Sequence, residues 1–220
     1  MTQLQSNAEK ATIKLYTDWL KTARPKQLEP EGKHNIWLIL AGRGWGKTRT
    51  GAEDIALYAL RHPNVICAVV APTHGDLRRV CFGGNSGLLS IIPDECYAKS
   101  RDFKGYSSSL SEIRLHNGSK IVGYAAQEPE RLRGPQFHRA WCDEIAAWRY
   151  PEAYDQLMFG LRLGEEPKCV ITTTPKPTPL IKQLIDRKDT FVTTGNTFEN
   201  EANLAPSALK MLKERYEGTA

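Results

Sequence analysis

An apolar run followed by a glycine-rich loop and a helical pattern constrains this chain more than any other feature. The run Ile36–Leu40 leads into the loop Ala41–Thr48, which reads AGRGWGKT, and residues 49–57 continue as a helix. The ending Gly-Lys-Thr matches a phosphate-binding loop, in which glycines turn backbone N–H groups toward an anion at a helix N-terminus. Ala41 replaces the first glycine of that motif, and it is small enough for the loop to close. The pattern predicts a nucleotide site.

The residue types in this loop suit ATP bound with Mg²⁺. Lys47 would reach the β- and γ-phosphates as a point charge, while the hydroxyl of Thr48 would bind Mg²⁺. An ordinary turn between a strand and a helix is the alternative, and the combination of strand, loop, Lys-Thr and helix disfavours it. We expect the phosphates to contact the loop backbone at Gly42, Arg43, Gly44, Trp45 and Gly46.

Composition and charge exclude several classes of protein. The 220 residues are 40% hydrophobic and 25% charged, which is ordinary for a soluble globular protein of one or two domains. No apolar run approaches the roughly 18 residues of a membrane span, and the polar N-terminus lacks a signal-peptide core. Five cysteines without a Cys-x-x-Cys pair suggest neither disulfides nor zinc. The dispersed net charge of +5 is compatible with a nucleic-acid partner but does not indicate one.

Strand-like and helix-like segments alternate along the chain, which predicts an α/β doubly wound sheet. Residues 109–125 alternate, turn and alternate again, which predicts an antiparallel hairpin near 110–125. We expect other strands at 65–71, 140–144, 169–174 and 190–194, and helices at 8–22, 74–80, 150–163, 180–187 and 206–216.

An acidic pair, Asp143-Glu144, follows the apolar residues 140–142. An aspartate at the carboxyl end of a strand is suited to bind the Mg²⁺ whose other protein ligand is Thr48. A glutamate directly after it is placed to orient or deprotonate a water that attacks the γ-phosphate. Glu144 therefore favours hydrolysis over phosphoryl transfer to another acceptor. A surface acidic pair at a strand end is the alternative.

Two arginines are candidates for stabilising the charge that a phosphoryl transition state spreads over its oxygens. Arg43 lies inside the loop and could act in cis, with loop rigidity or solvent exposure as the alternative. Arg133, in the stretch RLRG, could face the phosphates of a neighbouring subunit, and a structural salt bridge explains it equally well. Arg131 is the poorer candidate.

Two further polar positions are candidates for the site. Thr172, Thr173 and Thr174 follow a buried strand, and their hydroxyls could bind the attacking water or Glu144, although β-propensity alone also explains them. Gln27 precedes the first strand, and its amide offers the donor and acceptor that suit an adenine edge. A solvated loop residue is the alternative for Gln27.

In this order, the motifs resemble those of the N-terminal ATPase domain of the large terminase subunit of tailed bacteriophages. The resemblance covers roughly residues 15–215, and the combination is specific although each short piece alone is not. The stretches that carry it are ARPKQL (23–28), residues 37–53 around the loop, RLRG (131–134), CDE (142–144), TTTP (172–175) and TFEN (197–200).

The resemblance implies a P-loop NTPase of the additional-strand, catalytic-glutamate type, with a mostly parallel central sheet flanked by helices. It implies an N-terminal helix and adenine-side loop over 1–34, an ATPase core over 35–200, and a C-terminal helix in 201–220. Lys47 and Thr48 then contact phosphate and Mg²⁺, Asp143 binds the metal and Glu144 activates water. Thr172–Thr174 map to the coupling motif.

The resemblance also implies a role in viral genome packaging, with ATP hydrolysis driving double-stranded DNA into a procapsid. The implied partners are DNA, the portal protein, the small terminase subunit and other copies of the chain in a ring, commonly of five. In such a ring an arginine of one subunit completes its neighbour's site, which makes Arg133 the preferred candidate in trans. We expect the host cytoplasm, with transient residence at the portal vertex. The family's nuclease domain would follow residue 200, and we expect its activity to be absent.

Two other functions remain possible from the sequence. A helicase-like ATPase uses a related acidic pair and threonine-rich strand, but it normally needs a second sheet domain to complete its ATP site. A nucleotide-binding assembly adaptor would bind ATP without useful turnover. Substitution of Glu144 discriminates between the enzyme and the adaptor.

Overall fold

The computed structural model of the chain describes residues 3–203, in which helices cover both faces of a sheet. The strands are β1 (Ile36–Ala41), β2 (Ile66–Ala71), β3 (Tyr106–Ser107), β4 (Glu112–Arg114), β5 (Lys120–Ala125), β6 (Arg139–Asp143), β7 (Lys168–Thr173) and β8 (Thr190–Gly195). The helices are α1 (Gln3–Thr22), α2 (Lys47–Arg61), α3 (His74–Asp76), α4 (Leu88–Ile91), α5 (Glu152–Gly160) and α6 (Pro179–Asp186). The predicted α/β class is confirmed.

The eight strands form one sheet in the order β3-β4-β5-β2-β6-β7-β1-β8. Neighbours from β5 to β8 are parallel, whereas β3, β4 and β5 pair antiparallel, which confirms the hairpin predicted near 110–125. β7 lies between β1 and β6, with Thr173 beside Leu40 and Thr172 beside Asp143. The carboxyl ends of these three strands meet at one edge of the sheet, where open α/β sheets bind ligands.

The central strands are apolar because both of their faces are covered by helices. Every residue of β1 and β6 is buried. The helix that follows the glycine-rich loop, α2, packs closely on β6: a Cβ atom placed on Gly51 would lie 2.3 Å from Cε2 of Trp141. Burial of large side chains on the two faces stabilises the sheet, and they include Ile55, Phe82 and Trp141 on one face and Phe137, Leu157 and Ile171 on the other.

Several element boundaries differ from those predicted. The helix predicted over 150–163 is shorter because Leu161 leaves helical geometry and bridges to Phe137. The helix predicted over 74–80 is the short α3 followed by a π-helical turn, Leu77–Phe82. β6 begins one residue earlier than predicted, because the side chain of Arg139 is buried in an ion pair with Asp54.

The described residues begin and end in helical segments. α1 begins at Gln3, earlier than the predicted start at residue 8. A 3-10 segment, Thr197–Asn203, follows β8, and the helix predicted over 206–216 lies outside the described residues. No helix within residues 3–203 has the length and apolar character needed to cross a bilayer.

Candidate nucleotide-binding site

The glycine-rich loop connects the carboxyl end of β1 to the N-terminus of α2. Gly44 and Gly46 have φ angles of +75° and +99°, in the left-handed region that favours glycine. Space is also restricted at Gly46, where an added Cβ atom would lie 2.9 Å from Nε2 of Gln27. Glycine at these two positions therefore permits both the turn and the close approach of the loop to residues 24–27.

Several carbonyl groups of the loop accept hydrogen bonds from protein donors. The ammonium group of Lys47 donates to the carbonyl oxygens of Ala41 and Gly42, at 3.0 and 3.2 Å. The carbonyl of Gly46 accepts from both the backbone N–H and the hydroxyl of Thr50, each at 3.0 Å.

Two further loop carbonyls accept hydrogen bonds from side chains distant in sequence. Asn200 Nδ2 donates to the carbonyl oxygen of Gly44 at 2.6 Å, and Arg24 donates to the carbonyl oxygen of Trp45. The N–H groups of Gly44 and Gly46 have no backbone acceptor within residues 3–203. Unpaired N–H groups beside a helix N-terminus form an anion-binding arrangement.

Lys47 links this loop to the acidic pair. Its side chain is buried, and Nζ lies 3.4 Å from Glu144 Oε1 and 3.4 Å from Thr174 Oγ1. The glycine-rich loop, the acidic pair and the threonine-rich strand end therefore meet at one place, although they follow three different strands.

Asp143 is the last residue of β6, and its carboxylate is buried. Its Oδ1 atom accepts a hydrogen bond from Thr172 Oγ1 at 2.9 Å. Burial raises the pKa of the Asp143 carboxyl to about 6. The hydrogen bond from Thr172 opposes that increase, and the Glu144 carboxylate adds to it. An additional positive charge beside Asp143 would favour its ionised form.

Glu144 has a left-handed backbone conformation, with φ of +45°, which is unusual for a residue other than glycine. Its carboxylate accepts hydrogen bonds from the backbone N–H of Thr174 at 3.1 Å and from the Thr174 hydroxyl at 3.3 Å. The hydroxyl of Thr173 accepts from the N–H of Ala146 at 3.2 Å. Thr172 and Thr174 thus contact the acidic pair, and Thr173 contacts the turn that follows it.

Gln27 lies beside the loop, in the 3-10 turn Pro25–Gln27, and its side chain is buried. Its Oε1 atom accepts from the backbone N–H of Arg24 at 3.2 Å, and Nε2 donates to Thr50 Oγ1 at 3.0 Å. The bond to Thr50 attaches Gln27 to the first turn of α2. Its role toward an adenine stays a prediction.

The candidate arginines lie outside the contacts described above. Arg43 and Arg133 are exposed, and neither makes an ion pair within residues 3–203. Arg133 borders a cleft of about 370 Å³ with Tyr150. Arg131 differs, because it pairs with Glu128. The roles of Arg43 in cis and of Arg133 in trans stay predictions.

Sequence reasoning missed a group of side chains behind the loop. The indole Nε1 of Trp45 donates to Glu199 Oε2 at 3.1 Å, and Arg24 contacts both Glu199 and Asn200. Arg24, Glu199 and Asn200 carry no signal of their own in the sequence, and they enter the sequence analysis only through the resemblance. No pattern in the sequence indicates that they meet, since Arg24 and Asn200 are 176 positions apart.

No group of three or more His, Cys, Asp or Glu residues within 3–203 is arranged to hold a metal by itself. A cavity of about 830 Å³ lies on the other side of Gln27 and Thr50, between α1, α2 and the amino ends of β6 and β7. It contains the Arg139–Asp54 pair rather than the acidic pair, and it is therefore separate from the contact between Lys47 and Glu144.

Comparisons with known proteins relate the chain to viral packaging proteins. A family model described as "Terminase large subunit, T4likevirus-type, N-terminal" matches residues 38–218. The large terminase ATPase domain of Thermus phage P74-26 superposes with a TM-score of 0.66 at 11% identity, covering 88% of each chain. A search of curated proteins found no match.

A second large terminase, from a thermophilic bacteriophage, has a TM-score of 0.64 at 15% identity, over 94% of this chain and 49% of that one. The structure of the same phage protein in complex with ATP-γ-S has a TM-score of 0.59 at 16% identity, over 94% and 48% of the two chains. This chain thus spans about half the length of that second terminase. Identities this low relate the folds alone.

Proposed function

Because this chain belongs to the family of T4-type large terminase N-terminal domains, we propose that it hydrolyses ATP and that hydrolysis drives double-stranded DNA into a viral procapsid. The observation that carries the proposal is the distance of 3.4 Å between Lys47 Nζ and Glu144 Oε1. It brings a phosphate-binding group and a carboxylate suited to activate water into one cleft.

The loop would bind the phosphates of ATP. Its free N–H groups and the N-terminus of α2 favour a negatively charged ligand, and Lys47 supplies a full positive charge. A triphosphate would compete with Glu144 for that ammonium group. The complex of the thermophilic bacteriophage terminase with ATP-γ-S supports nucleotide binding in this fold.

The donor set fits a magnesium ion. The Thr48 hydroxyl and the Asp143 carboxylate are oxygen ligands of the kind that Mg²⁺ prefers, and Asp143 is buried without an ion pair in residues 3–203. Bound there with ATP, Mg²⁺ would neutralise the charge of the phosphate oxygens. Thr172 would hold the Asp143 carboxylate in place through its hydroxyl.

Glu144 would act as the general base. Its carboxylate would accept a proton from water as that water forms a bond to the γ-phosphorus, and the bond to the ADP oxygen would break. In the structure, Thr174 binds both oxygens of this carboxylate. The carboxylate has lone pairs left to accept from the water as well, so Thr174 could hold it in position next to β7 during the reaction.

The arginine that completes the site would come from a second copy of the chain. Arg133 is exposed, borders a cleft and lacks an ion pair in residues 3–203, so it is available to a neighbour. Arg43 would contact the phosphates in cis. We propose a ring, commonly of five subunits, that acts with the portal protein and the small terminase subunit. Its place would be the host cytoplasm, and the portal vertex during packaging.

The test is ATP turnover with and without double-stranded DNA, measured across protein concentration. We expect DNA to stimulate turnover and the rate per subunit to increase with concentration. Glu144→Ala should abolish hydrolysis while ATP remains bound. Wild-type protein that binds ATP without turnover under all these conditions would instead indicate a nucleotide-binding adaptor. Stimulation by single-stranded but not by double-stranded DNA would indicate a helicase-like ATPase.

A further inference from the structure

The segment after β8 packs against the back of the phosphate loop. Gly42 N–H donates to the carbonyl of Gly195 at 3.1 Å, and a Cβ atom added to Gly42 would lie 2.6 Å from Thr197 Oγ1. The 3-10 segment Thr197–Asn203 then carries Glu199 and Asn200 alongside the loop. Together with Arg24, these two residues form what we call the loop clamp.

The loop clamp binds two consecutive carbonyl groups. Asn200 Nδ2 donates to Gly44 and Arg24 donates to Trp45. Arg24 in turn is held by the carbonyl of Glu199 at 2.9 Å and by Asn200 Oδ1 at 2.7 Å. The two donors are therefore tied to each other as well as to the loop.

The side chain of Trp45 attaches the same loop to the segment after β8. It is fully buried, and its Nε1 donates to Glu199 Oε2 at 3.1 Å. The guanidinium of Arg24 lies 4.9 Å from the centre of the indole ring, within the range of a cation–π contact. Gly195 leaves room for the ring, since a Cβ atom there would lie 2.1 Å from Trp45 Nε1.

Glu199 is itself fixed in position. Its second oxygen, Oε1, accepts from Lys26 Nζ at 3.0 Å and from the N–H of Asn196 at 3.3 Å. Burial acts to raise the pKa of Glu199, but the hydrogen bonds from Trp45 and Lys26 lower it below its usual value. The carboxylate that holds the indole is therefore ionised at neutral pH.

We propose that Arg24, Glu199 and Asn200 are positioning residues, which hold the carbonyls of Gly44 and Trp45 in place and so fix the direction of the loop N–H groups that would bind the phosphates. A peptide group is planar, so fixing a carbonyl direction also fixes the N–H of the following residue. The bond to Trp45 thereby orients the N–H of Gly46. The bond to Gly44 orients the N–H of Trp45, which otherwise makes only a long bond of 3.4 Å to the carbonyl of Gly42. The inference rests on the proposed function only in taking nucleotide phosphates as the ligand.

A purely structural role makes a different prediction. If the loop clamp only attached the 3-10 segment to the domain, its loss would lower the thermal stability of the free protein and leave nucleotide affinity unchanged. A positioning role requires that affinity for a phosphate ligand changes. Binding energy would then be used to reorder the loop, as expected when a preorganised site is lost.

The experiment measures the Kd for ATP-γ-S by calorimetry in the wild type and in Glu199→Ala, Glu199→Gln and Asn200→Ala. Glu201→Ala is the matched control, since Glu201 lies exposed in the same segment and forms no ion pair within residues 3–203. Thermal unfolding without nucleotide is recorded for each protein. The ¹H–¹⁵N resonance of the Trp45 indole, assigned with Trp45→Phe, reports directly on its bond to Glu199.

We expect Glu199→Ala and Asn200→Ala each to weaken ATP-γ-S binding about tenfold, the equivalent of one lost hydrogen bond in a charged network. Glu199→Gln keeps an oxygen acceptor for the indole, so its Kd and its Trp45 resonance should stay close to those of the wild type. Glu201→Ala should bind within about twofold of the wild type. If Glu199→Ala fails to fold, Asn200→Ala alone decides, because it removes a single half-buried side-chain amide.

Two results would overturn the proposal. The first is an unchanged Kd in both alanine variants together with lower thermal stability, which is the result of a structural tie. The second is equal weakening by Glu199→Ala and Glu199→Gln, because then the hydrogen bond to Trp45 is not what matters. A wild-type protein that binds no ATP-γ-S is a separate outcome: it refutes the proposed nucleotide function and removes the ligand on which this inference depends.

Discussion

Lys47 Nζ and Glu144 Oε1 lie 3.4 Å apart, so the cation of the phosphate loop and the carboxylate of the acidic pair form an ion pair across the cleft. The pair joins the first residue of α2 to the residue that follows β6, with Thr174 in contact with both. In the proposed mechanism, a bound triphosphate would bring negative charge to the same ammonium group and weaken its attraction to Glu144. One charge would thereby link nucleotide binding to release of the proposed base.

The first prediction concerns Glu144→Gln. The amide keeps one oxygen for Thr174 but is too weak a base to accept a proton from water, so we expect kcat to fall by roughly 10²–10⁴. ATP-γ-S affinity should be retained or increase, since Lys47 loses its competing partner. Turnover assays and calorimetry measure the two effects. Glu152→Gln, an exposed position on α5, should match the wild type, and a Glu144→Gln protein with normal kcat would contradict the assignment.

The second prediction concerns Lys47→Ala. Its loss removes the charge at the phosphates and frees the carbonyls of Ala41 and Gly42 from their donor. We expect ATP turnover to be abolished and ATP-γ-S affinity to decrease at least about tenfold. Lys176→Ala is the control, because Lys176 is exposed and outside the ion pairs within residues 3–203. Persistent turnover in Lys47→Ala would mean that the site lies elsewhere.

The third prediction tests whether Arg133 acts in trans. Wild-type turnover per subunit should rise steeply with protein concentration, whereas Arg133→Ala should stay roughly 10³-fold lower at high concentration. Arg131→Ala is the matched control, because Arg131 is engaged by Glu128. A mixture of Arg133→Ala with Glu144→Gln should be more active than either variant alone, since each supplies what the other lacks. A mixture without such recovery would argue against a finger in trans.

The fourth prediction concerns a buried ion pair away from the cleft. Arg139 and Asp54 are both largely buried, and Arg139 also pairs with Glu29. Arg139→Ala leaves Asp54 as an unpaired buried charge and should lower the free energy of unfolding by about 3–5 kcal/mol. Denaturant titration measures it. Arg187→Ala, which breaks the exposed pair with Asp189, should cost less than about 1 kcal/mol because solvent screens that pair; equal costs would contradict the argument.

The fifth prediction concerns pH. Glu53 on α2 is fully buried, its Oε2 atom has no hydrogen-bond partner in residues 3–203, and burial raises its pKa above 4.5. A raised pKa in the folded state means that the contribution of Glu53 to stability is lost as pH increases from about 4.5. Glu53→Gln does not titrate and still accepts from Arg49. The difference in Tm, variant minus wild type, should therefore increase between pH 4.5 and pH 7. A difference that stays constant over this range would contradict the argument.

Most of the fold was predictable because its signals are local. The apolar runs of β1, β2 and β7 are typical of buried parallel strands, and the hairpin near 110–125 has alternation and an Asn117-Gly118 turn. The glycines of the loop also identify it without tertiary information. A local sequence pattern is enough to predict a segment's secondary structure where tertiary contacts do not alter that structure.

The differences have tertiary causes. Arg139 is disfavoured as a buried strand residue by its charge, but Asp54 and Glu29 neutralise it and extend β6. Leu161 reads as helical until it bridges to Phe137. Trp45 and Glu199 are 154 positions apart in the sequence, and no periodicity in the sequence indicates a contact between residues so far apart. The side chains behind the loop could therefore be found only in three dimensions.

The central position of β7 determines when the proposed nucleotide site can assemble during synthesis. Lys47 and Thr174 are 127 positions apart in the chain, and β1 reaches β6 only through β7. Closing so long a loop carries an entropic cost that must be met before the contacts form, which slows assembly of parallel sheets. During synthesis, the glycine-rich loop should therefore leave the ribosome first and the acidic pair later. We expect no affinity for ATP until Lys168–Thr173 has inserted between β1 and β6.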